Sequence, residues 1–179
     1  AYDKVIALLK LNNVKVQQLT ADTKLAVEMY YIADMKTATR PYEGHYQHSA
    51  VKLDKVNQDI HFFAGDYVVY VNQPSNRYIV ETLEPQAIDS FFNWNFFDAV
   101  LGQKEGYSSY VFEDTAADLM KKDPSLREKL EAEKTKNPEA MKTARAQLDF
   151  IYKNSEYFEK TTMRYPVARL QQNISLNLK

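Results

Sequence analysis

The sequence contains no cysteine. This absence excludes disulfide bonds, thiolate nucleophiles and cysteine-ligated zinc sites. It is silent about the cellular compartment, because oxidising and reducing compartments both hold cysteine-free proteins. The fold must therefore be held by its core, and a chain of 179 residues is long enough to bury one.

Glycine is also scarce, with four residues, and none lies in a nucleophile elbow or a phosphate-binding loop. Hydrolase and nucleotide-binding functions are therefore poorly supported. Neither sign of charge is in excess, since 23 lysines and arginines face 24 aspartates and glutamates, and we expect no binding to nucleic acid. No apolar run approaches the roughly 20 residues that cross a bilayer, so we expect no membrane span.

The residues that are present indicate an α+β protein in two parts. Residues 1–86 are predicted to form a short helix, which Asp3 can cap, and an antiparallel β-sheet or small sandwich. Residues 87–179 are predicted to form a helical lobe with an extended C-terminal tail, packed with the first part as one unit. Pro85 marks the boundary, because apolar alternation gives way there to a helical period.

Alternation of apolar and polar side chains predicts the strands. It is clearest at residues 25–31, and it returns at 51–53, 60–62, 67–71 and 78–83. Turn-forming residues separate these runs, at 56–59, 64–66 and 73–76. This spacing is typical of short strands joined by tight hairpins.

Helices are predicted from capping residues and apolar periodicity, at 91–101, 110–122, 124–136 and 138–154. Asp123 and Asn137 each precede a proline, a pairing that is typical of a helix start. Pro166 disfavours helical backbone before it, so the tail from Met163 is predicted to be extended and packed back over the domain. Residues 171–179 are expected to be loosely held.

The sequence offers little catalytic chemistry. His45 and His48 have a metal-like spacing, but a zinc site needs a third ligand, and His61 lies on a predicted strand with no reason to converge. Two carboxylate pairs could in principle supply an acid and a base, but such pairs are more often structural: Glu81 with Glu84, and Glu113 with Asp114. We therefore assign no catalytic or metal-binding residue and expect this chain by itself to be no enzyme.

Aromatic side chains provide candidate contacts for a glycan or a peptide, because rings stack on such ligands and amides hydrogen-bond to them. The candidate contact residues are Tyr42, His45, His48, Trp94 and Asn95. The other interpretation of the segment around Trp94 is a hydrophobic seam, since Phe92, Phe96 and Val100 share one face at helical spacing. A buried Trp94 would favour the seam, and an exposed one would favour a binding site.

Several longer segments resemble one protein family. They are PYEGH at 41–45, NQP at 72–74, RYIVETLEP at 77–85, DSFFNWNFFD at 89–98, YVFED at 110–114, LDFIY at 148–152 and RYPV at 164–167. Together they resemble the region that follows the catalytic domain in bacterial zinc-carboxypeptidase-like proteins of the carboxypeptidase A type. That family holds its metal with a His-x-x-Glu pair and a later histidine, and this chain contains no His-x-x-Glu.

The resemblance implies a noncatalytic C-terminal module that stabilises or shapes an upstream peptidase domain of the same polypeptide. Zinc would then be bound only by the upstream domain, with no cofactor in this segment. The resemblance also implies an exported protein, periplasmic or extracellular. The alternative, from the residues themselves, is a glycan- or peptide-binding module that uses surface aromatics.

Overall fold

The computed structural model describes residues 2–103 and 106–179. In chain order its elements are α1 Asp3–Leu11, β1 Gln17–Gln18, β2 Thr23–Thr37, β3 His48–Phe62, β4 Tyr67–Val68, α2 Asn76–Leu83, a 3-10 helix at Asp98–Val100, α3 Ser109–Lys122, α4 Pro124–Lys136 and α5 Ala144–Lys153. β1 pairs with β4 and β2 with β3, both antiparallel, which confirms the α+β prediction. Within the described ranges no helix is both long and apolar enough to cross a membrane.

The chain divides into two compact units. The first contains the residues up to Gly102 together with Met163–Lys179, and the second is Gln103–Thr162. The sequence-based boundary lay instead after residue 86. It differs because residues 87–102 do not begin the helical unit, but bury their aromatic side chains in the core of the first unit.

β2 and β3 form one long antiparallel hairpin, and residues 38–47 connect them. The turn predicted at 56–59 is wrong, because these residues lie within β3, opposite residues 26–29 of β2. Asn57 and Asp59 are exposed there. Polar side chains on an exposed strand already reach solvent and need no turn, so composition alone was misleading at this point.

The strand predicted at 78–83 is also wrong, since these residues form most of α2. The buried side chains of α2 are Ile79 and Thr82, whose spacing of three residues fits a helix face. Thr82 donates from Oγ1 to the Tyr78 carbonyl oxygen at 2.7 Å, a bond that joins successive helical turns. A further strand, predicted at 67–71, is limited to the two residues of β4.

The helix predicted at 91–101 is replaced by successive turns that end in the short 3-10 helix. Asn95 interrupts any helix, because its φ of 66° is left-handed. The Asn93 side chain donates from Nδ2 to the Ala87 carbonyl oxygen at 2.7 Å. Bonds of this kind between side chain and backbone compete with helical hydrogen bonds, which explains the irregular course of this aromatic segment.

The core of the first unit joins parts that are far apart in the sequence. Its buried members are Val5, Leu9, Val14, Tyr30, Ile32, Val51, Ile79, Phe91, Phe92, Phe97 and Tyr165. Phe92 and Phe97 both meet Tyr165 edge to face, with ring centroids 6.0 and 5.3 Å apart. Large aromatic rings contribute much buried apolar area, so these three dominate the packing.

The C-terminal tail is extended and returns along β2, as predicted. Bridges join Tyr31 to Arg164 and Glu28 to Arg169, and the Tyr165 amide donates to the Tyr30 carbonyl oxygen at 2.8 Å. The expectation that the last residues are loosely held is wrong. Leu178 bridges Leu19, and the backbone of Lys179 exchanges two hydrogen bonds with Gln18, at 3.1 and 3.0 Å. Backbone pairing with β1 therefore holds the end of the chain.

The second unit is helical, with α3, α4 and α5 packed around Phe112, Ala116, Leu126, Leu130, Ile151 and Tyr152. The start of α4 is as predicted, since Asp123 accepts from the Leu126 amide at 3.1 Å before Pro124. The helix predicted from 138 starts later, at Ala144, where Thr143 is the cap. Asn137 ends α4 instead, and its side-chain Nδ2 donates to Glu133 Oε1 at 2.7 Å.

Tyr107 carries a strongly perturbed hydroxyl in the second unit. It donates to Asp149, and the Arg145 guanidinium lies 4.6 Å from the centre of its ring. Burial and the neighbouring Asp149 carboxylate raise the pKa of Tyr107 to about 12. The neutral phenol is therefore the form that the folded unit stabilises.

We expect Tyr165→Phe to lower the free energy of unfolding of the first unit by about 1–2 kcal/mol. The Tyr165 hydroxyl donates to the partly buried Leu83 carbonyl oxygen at 2.8 Å, and its loss leaves that acceptor without this partner. Urea unfolding followed by Trp94 fluorescence measures the change. Tyr110→Phe, at a position that is 89% exposed, is the matched control and should have almost no effect. An equal effect of the two variants would contradict the role of Tyr165.

We expect the second unit to lose stability as the pH rises from 10 towards 12. The folded-state pKa of Tyr107 lies above its ordinary value of 10.0, so its contribution is present below pH 10 and is lost as the pH approaches about 12. Thermal melting followed by circular dichroism should show a smaller loss over this interval in Tyr107→Phe. Parallel losses in the two proteins would show that Tyr107 contributes nothing.

Candidate functional site

A tight turn projects from the connection between β2 and β3. The backbones of Tyr42 and His45 exchange two hydrogen bonds, at 2.9 and 2.8 Å, around Glu43 and Gly44. These two central residues have positive φ angles of 49° and 79°. That pattern is a type I′ hairpin turn, which fits the twist of paired strands. The turn therefore fixes Tyr42 and His45 directly opposite each other.

Both residues contact Trp94 of the aromatic segment. The Trp94 ring centroid lies 6.1 Å from that of Tyr42 and 5.5 Å from that of His45. Tyr42 and Tyr46 are 61% and 52% exposed, whereas Trp94 is partly buried. We call Tyr42, His45, Tyr46 and Trp94 the aromatic surface. Trp94 is therefore neither fully buried nor fully exposed. Its ring packs on Tyr42 and His45, and part of the residue stays accessible to solvent.

His48, the first residue of β3, is buried three positions after His45. Its Nδ1 is 3.0 Å from Thr37 Oγ1, and its Nε2 is 2.9 Å from Asp98 Oδ1. A carboxylate only accepts hydrogen bonds, so we assign the proton to Nε2. The His48 amide also donates to the Asn93 carbonyl oxygen at 3.0 Å. His48 thus ties the first residue of β3 to the aromatic segment.

Asn95 makes a second connection between the loop and the aromatic segment. Its Nδ2 donates to the Tyr46 carbonyl oxygen at 2.9 Å. The same Nδ2 lies 3.2 Å from His48 Nε2, but this approach is no hydrogen bond, because both nitrogens carry protons. Its Oδ1 is buried and finds no hydrogen-bond partner in the part of the chain that the structure describes. The bond to Tyr46 holds the left-handed backbone of Asn95 in place, since asparagine tolerates that conformation better than most residues.

The structure therefore brings all five candidate contact residues to one place, with different roles. Tyr42, His45 and Trp94 meet through their rings, whereas Asn95 bonds to the Tyr46 carbonyl oxygen and the His48 ring packs on the buried Phe92. A ligand-contacting role stays a prediction for each of them. Because His48 is buried with both ring nitrogens engaged, it holds the surface in place and has no free nitrogen for a metal ion.

Two of the other residues considered for chemistry have structural partners of their own. His61 stacks on Phe63 near the far end of β3, with its Nε2 3.8 Å from Asp22. Glu84 lies 3.6 Å from the Arg169 guanidinium, in an ion pair with the tail. Across residues 2–103 and 106–179, no three His, Cys, Asp or Glu side chains are grouped as metal ligands would be.

Comparison with known proteins finds no relative: no family model, no curated protein and no solved structure matches the chain. The likeness of residues 41–170 to the region that follows a carboxypeptidase catalytic domain therefore stays a prediction. The aromatic surface and the residues that contact it are the features from which a function can be proposed.

Sequence reasoning missed Thr37, Tyr46 and Asp98. Thr37 and His48 are paired residues at the two ends of the hairpin connection, so a correct strand register would have placed them together. Asp98 closes the aromatic segment, but its contact with His48 crosses 50 positions of sequence. No local pattern reports such a contact.

We expect Asn95→Ala to be less stable than Asn95→Gly by about 1 kcal/mol. Both variants lose the amide contacts, but only alanine meets the steric cost of a left-handed backbone. Urea unfolding of the two proteins, compared with the wild type, measures the difference. If Asn95→Gly were the less stable variant, backbone conformation would not be what asparagine provides here.

Proposed function

We propose that the chain is a noncatalytic accessory module that docks on an upstream peptidase domain of a zinc-carboxypeptidase-like polypeptide. The observation that carries the proposal is the aromatic surface, in which exposed Tyr42 meets partly buried Trp94 at a turn that backbone hydrogen bonds hold. The resemblance of the segments at 41–45 and 89–98, which form this surface, supports the choice of partner. With it comes the proposal that zinc belongs to the upstream domain only and that the protein is exported.

Tyrosine and tryptophan are enriched among the residues that contribute most to protein interfaces. Exposed rings that are free to move would lose side-chain and loop entropy on binding, and this loss weakens an interface. Here the type I′ turn fixes the backbone of the loop, and Asn95 holds the loop at the Tyr46 carbonyl oxygen. A partner therefore gains contact area at Tyr42 and Tyr46 with little loss of loop entropy.

The same supports favour a noncatalytic role. A general base needs a nitrogen or oxygen within reach of a substrate proton. His48, the titratable group at the centre of the site, is 5% exposed and already bonded to Thr37 and Asp98. It is built into the fold as a link between two segments.

A glycan or a peptide is the alternative occupant of the surface. The specific observation in its favour is that Trp94 remains partly open beside the exposed ring of Tyr42, as a stacking platform requires. Binding of a neutral oligosaccharide that Tyr42→Ala abolishes would support this function and would count against docking on the peptidase domain.

We expect Tyr42→Ala to weaken binding to the separately produced upstream domain by about tenfold, as truncation of an interface aromatic typically does. Isothermal titration calorimetry measures the affinity, and turnover of C-terminal peptide substrates measures the effect on the peptidase. Tyr110→Ala is the matched control, because it removes a tyrosine that is also exposed but lies on α3.

Circular dichroism of the two variants should be the same as that of the wild type, since both side chains lie at the surface. Equal affinity of Tyr42→Ala and Tyr110→Ala would contradict docking through the aromatic surface. Equal stability and turnover of the peptidase domain with and without this chain would contradict the accessory function as a whole.

A further inference from the structure

Aromatic rings in this protein repeatedly receive cations. The Lys55 ammonium and the Arg169 guanidinium lie 5.2 and 5.5 Å from the centre of the Tyr30 ring. Arg145 lies 4.6 Å from the centre of the Tyr107 ring in the second unit. A ring attracts a cation through the negative charge on its face, and tryptophan does so most strongly. These contacts show how the fold uses its own tyrosines.

Trp94 is the one tryptophan of the chain, and no cation of the described residues lies over its ring or over that of Tyr42. Both rings are nevertheless accessible, because Tyr42 is largely exposed and Trp94 partly so. The strongest cation acceptor of the protein is therefore unoccupied by the part of the chain that the structure describes.

Carboxylates border the same surface. Glu43 is exposed at the tip of the turn, between Tyr42 and His45, and no ion pair of its side chain occurs within residues 2–103 and 106–179. Asp98 is 46% exposed, and its Oδ1 accepts from His48. Lys36 and Arg40 are exposed basic residues of the same region, so acidic and basic groups are balanced around the surface as a whole. The charge that favours a positively charged ligand is that of Glu43, which lies in the turn directly between Tyr42 and His45.

We infer that the aromatic surface receives an arginine side chain of its partner. This inference rests on the proposed docking function and names the chemistry of the group that docks. A guanidinium is flat, so it stacks on Trp94 or Tyr42 while its edge donates two parallel hydrogen bonds to a carboxylate such as Glu43. A lysine ammonium has neither a flat face nor two parallel N–H donors. A neutral sugar carries no charge that the carboxylates could attract.

The fluorescence of Trp94 tests the inference directly, because no other tryptophan contributes to the emission. The probes are three capped tripeptides in which glycines flank an arginine, a lysine or a citrulline. Citrulline has the shape of arginine without its charge. N-acetyltryptophanamide with the same peptides corrects for quenching by collision.

We expect saturable quenching by the arginine peptide at millimolar concentration, about three- to fivefold tighter than by the citrulline peptide, with lysine between them. Glu43→Gln should reduce the difference between arginine and citrulline, and added salt should do the same. Glu113→Gln is the matched control, since it removes an exposed carboxylate from α3 in the other unit.

Equal quenching by arginine and citrulline would overturn the inference, as would the absence of saturable quenching or equal behaviour of Glu43→Gln and Glu113→Gln. If the arginine peptide gives no saturable quenching while Tyr42→Ala still weakens docking on the upstream domain, the accessory function stands. Only the inference that the partner supplies an arginine is then wrong. If the peptides bind while the upstream domain does not, the surface takes an arginine from a different protein.

Discussion

The packing of Phe92 and Phe97 against Tyr165 is the interaction on which the first unit depends. It joins the aromatic segment to a tail that begins more than 60 residues later in the sequence, and all three rings are almost fully buried. Burial raises the pKa of the Tyr165 phenol well above its ordinary value, with a further contribution from the Glu84 charge. Without this packing, the tail and the aromatic segment would lose the buried ring contacts that join them.

The aromatic surface is an outward extension of that core. Phe92 contacts the His48 ring, with centroids 5.1 Å apart, and His48 in turn holds Asp98 and Thr37. Asn95 then fixes the loop that carries Tyr46. The His45 ring stacks on Phe96 with centroids 6.1 Å apart, and Phe96 meets the buried Phe91 at 5.3 Å. These contacts connect the loop at residues 38–47 to the core.

Those parts of the fold that depend on local chemistry could be predicted from the sequence. Alternation at 25–31 identifies β2, and Asp123 before Pro124 identifies the start of α4, because strand pleating and helix capping act over a few residues. The wrong predictions lie where contacts between residues distant in the sequence determine the local structure. The residues 78–83 fit either period, and Asn95 ends a helical pattern only because the loop accepts its side chain.

The candidate site was predictable in part for the same reason. Aromatic and amide chemistry points to Tyr42, Trp94 and Asn95, but the type I′ turn at Glu43 and Gly44 carries only half of the usual Asn-Gly signal. Thr37 and Asp98 become neighbours of His48 only after the hairpin and the aromatic segment have packed. Residue types therefore indicate what the surface is made of, and tertiary structure determines what supports it.

The central claim is that this chain meets its partner through the turn at 42–45 and the aromatic segment. Hydrogen exchange followed by mass spectrometry, with and without the upstream peptidase domain, tests it most directly. The account predicts slower exchange in peptides that cover 42–46 and 94–98 when the domain is added. Unchanged exchange in these segments, with protection confined to β3 or to the helices of the second unit, would contradict it.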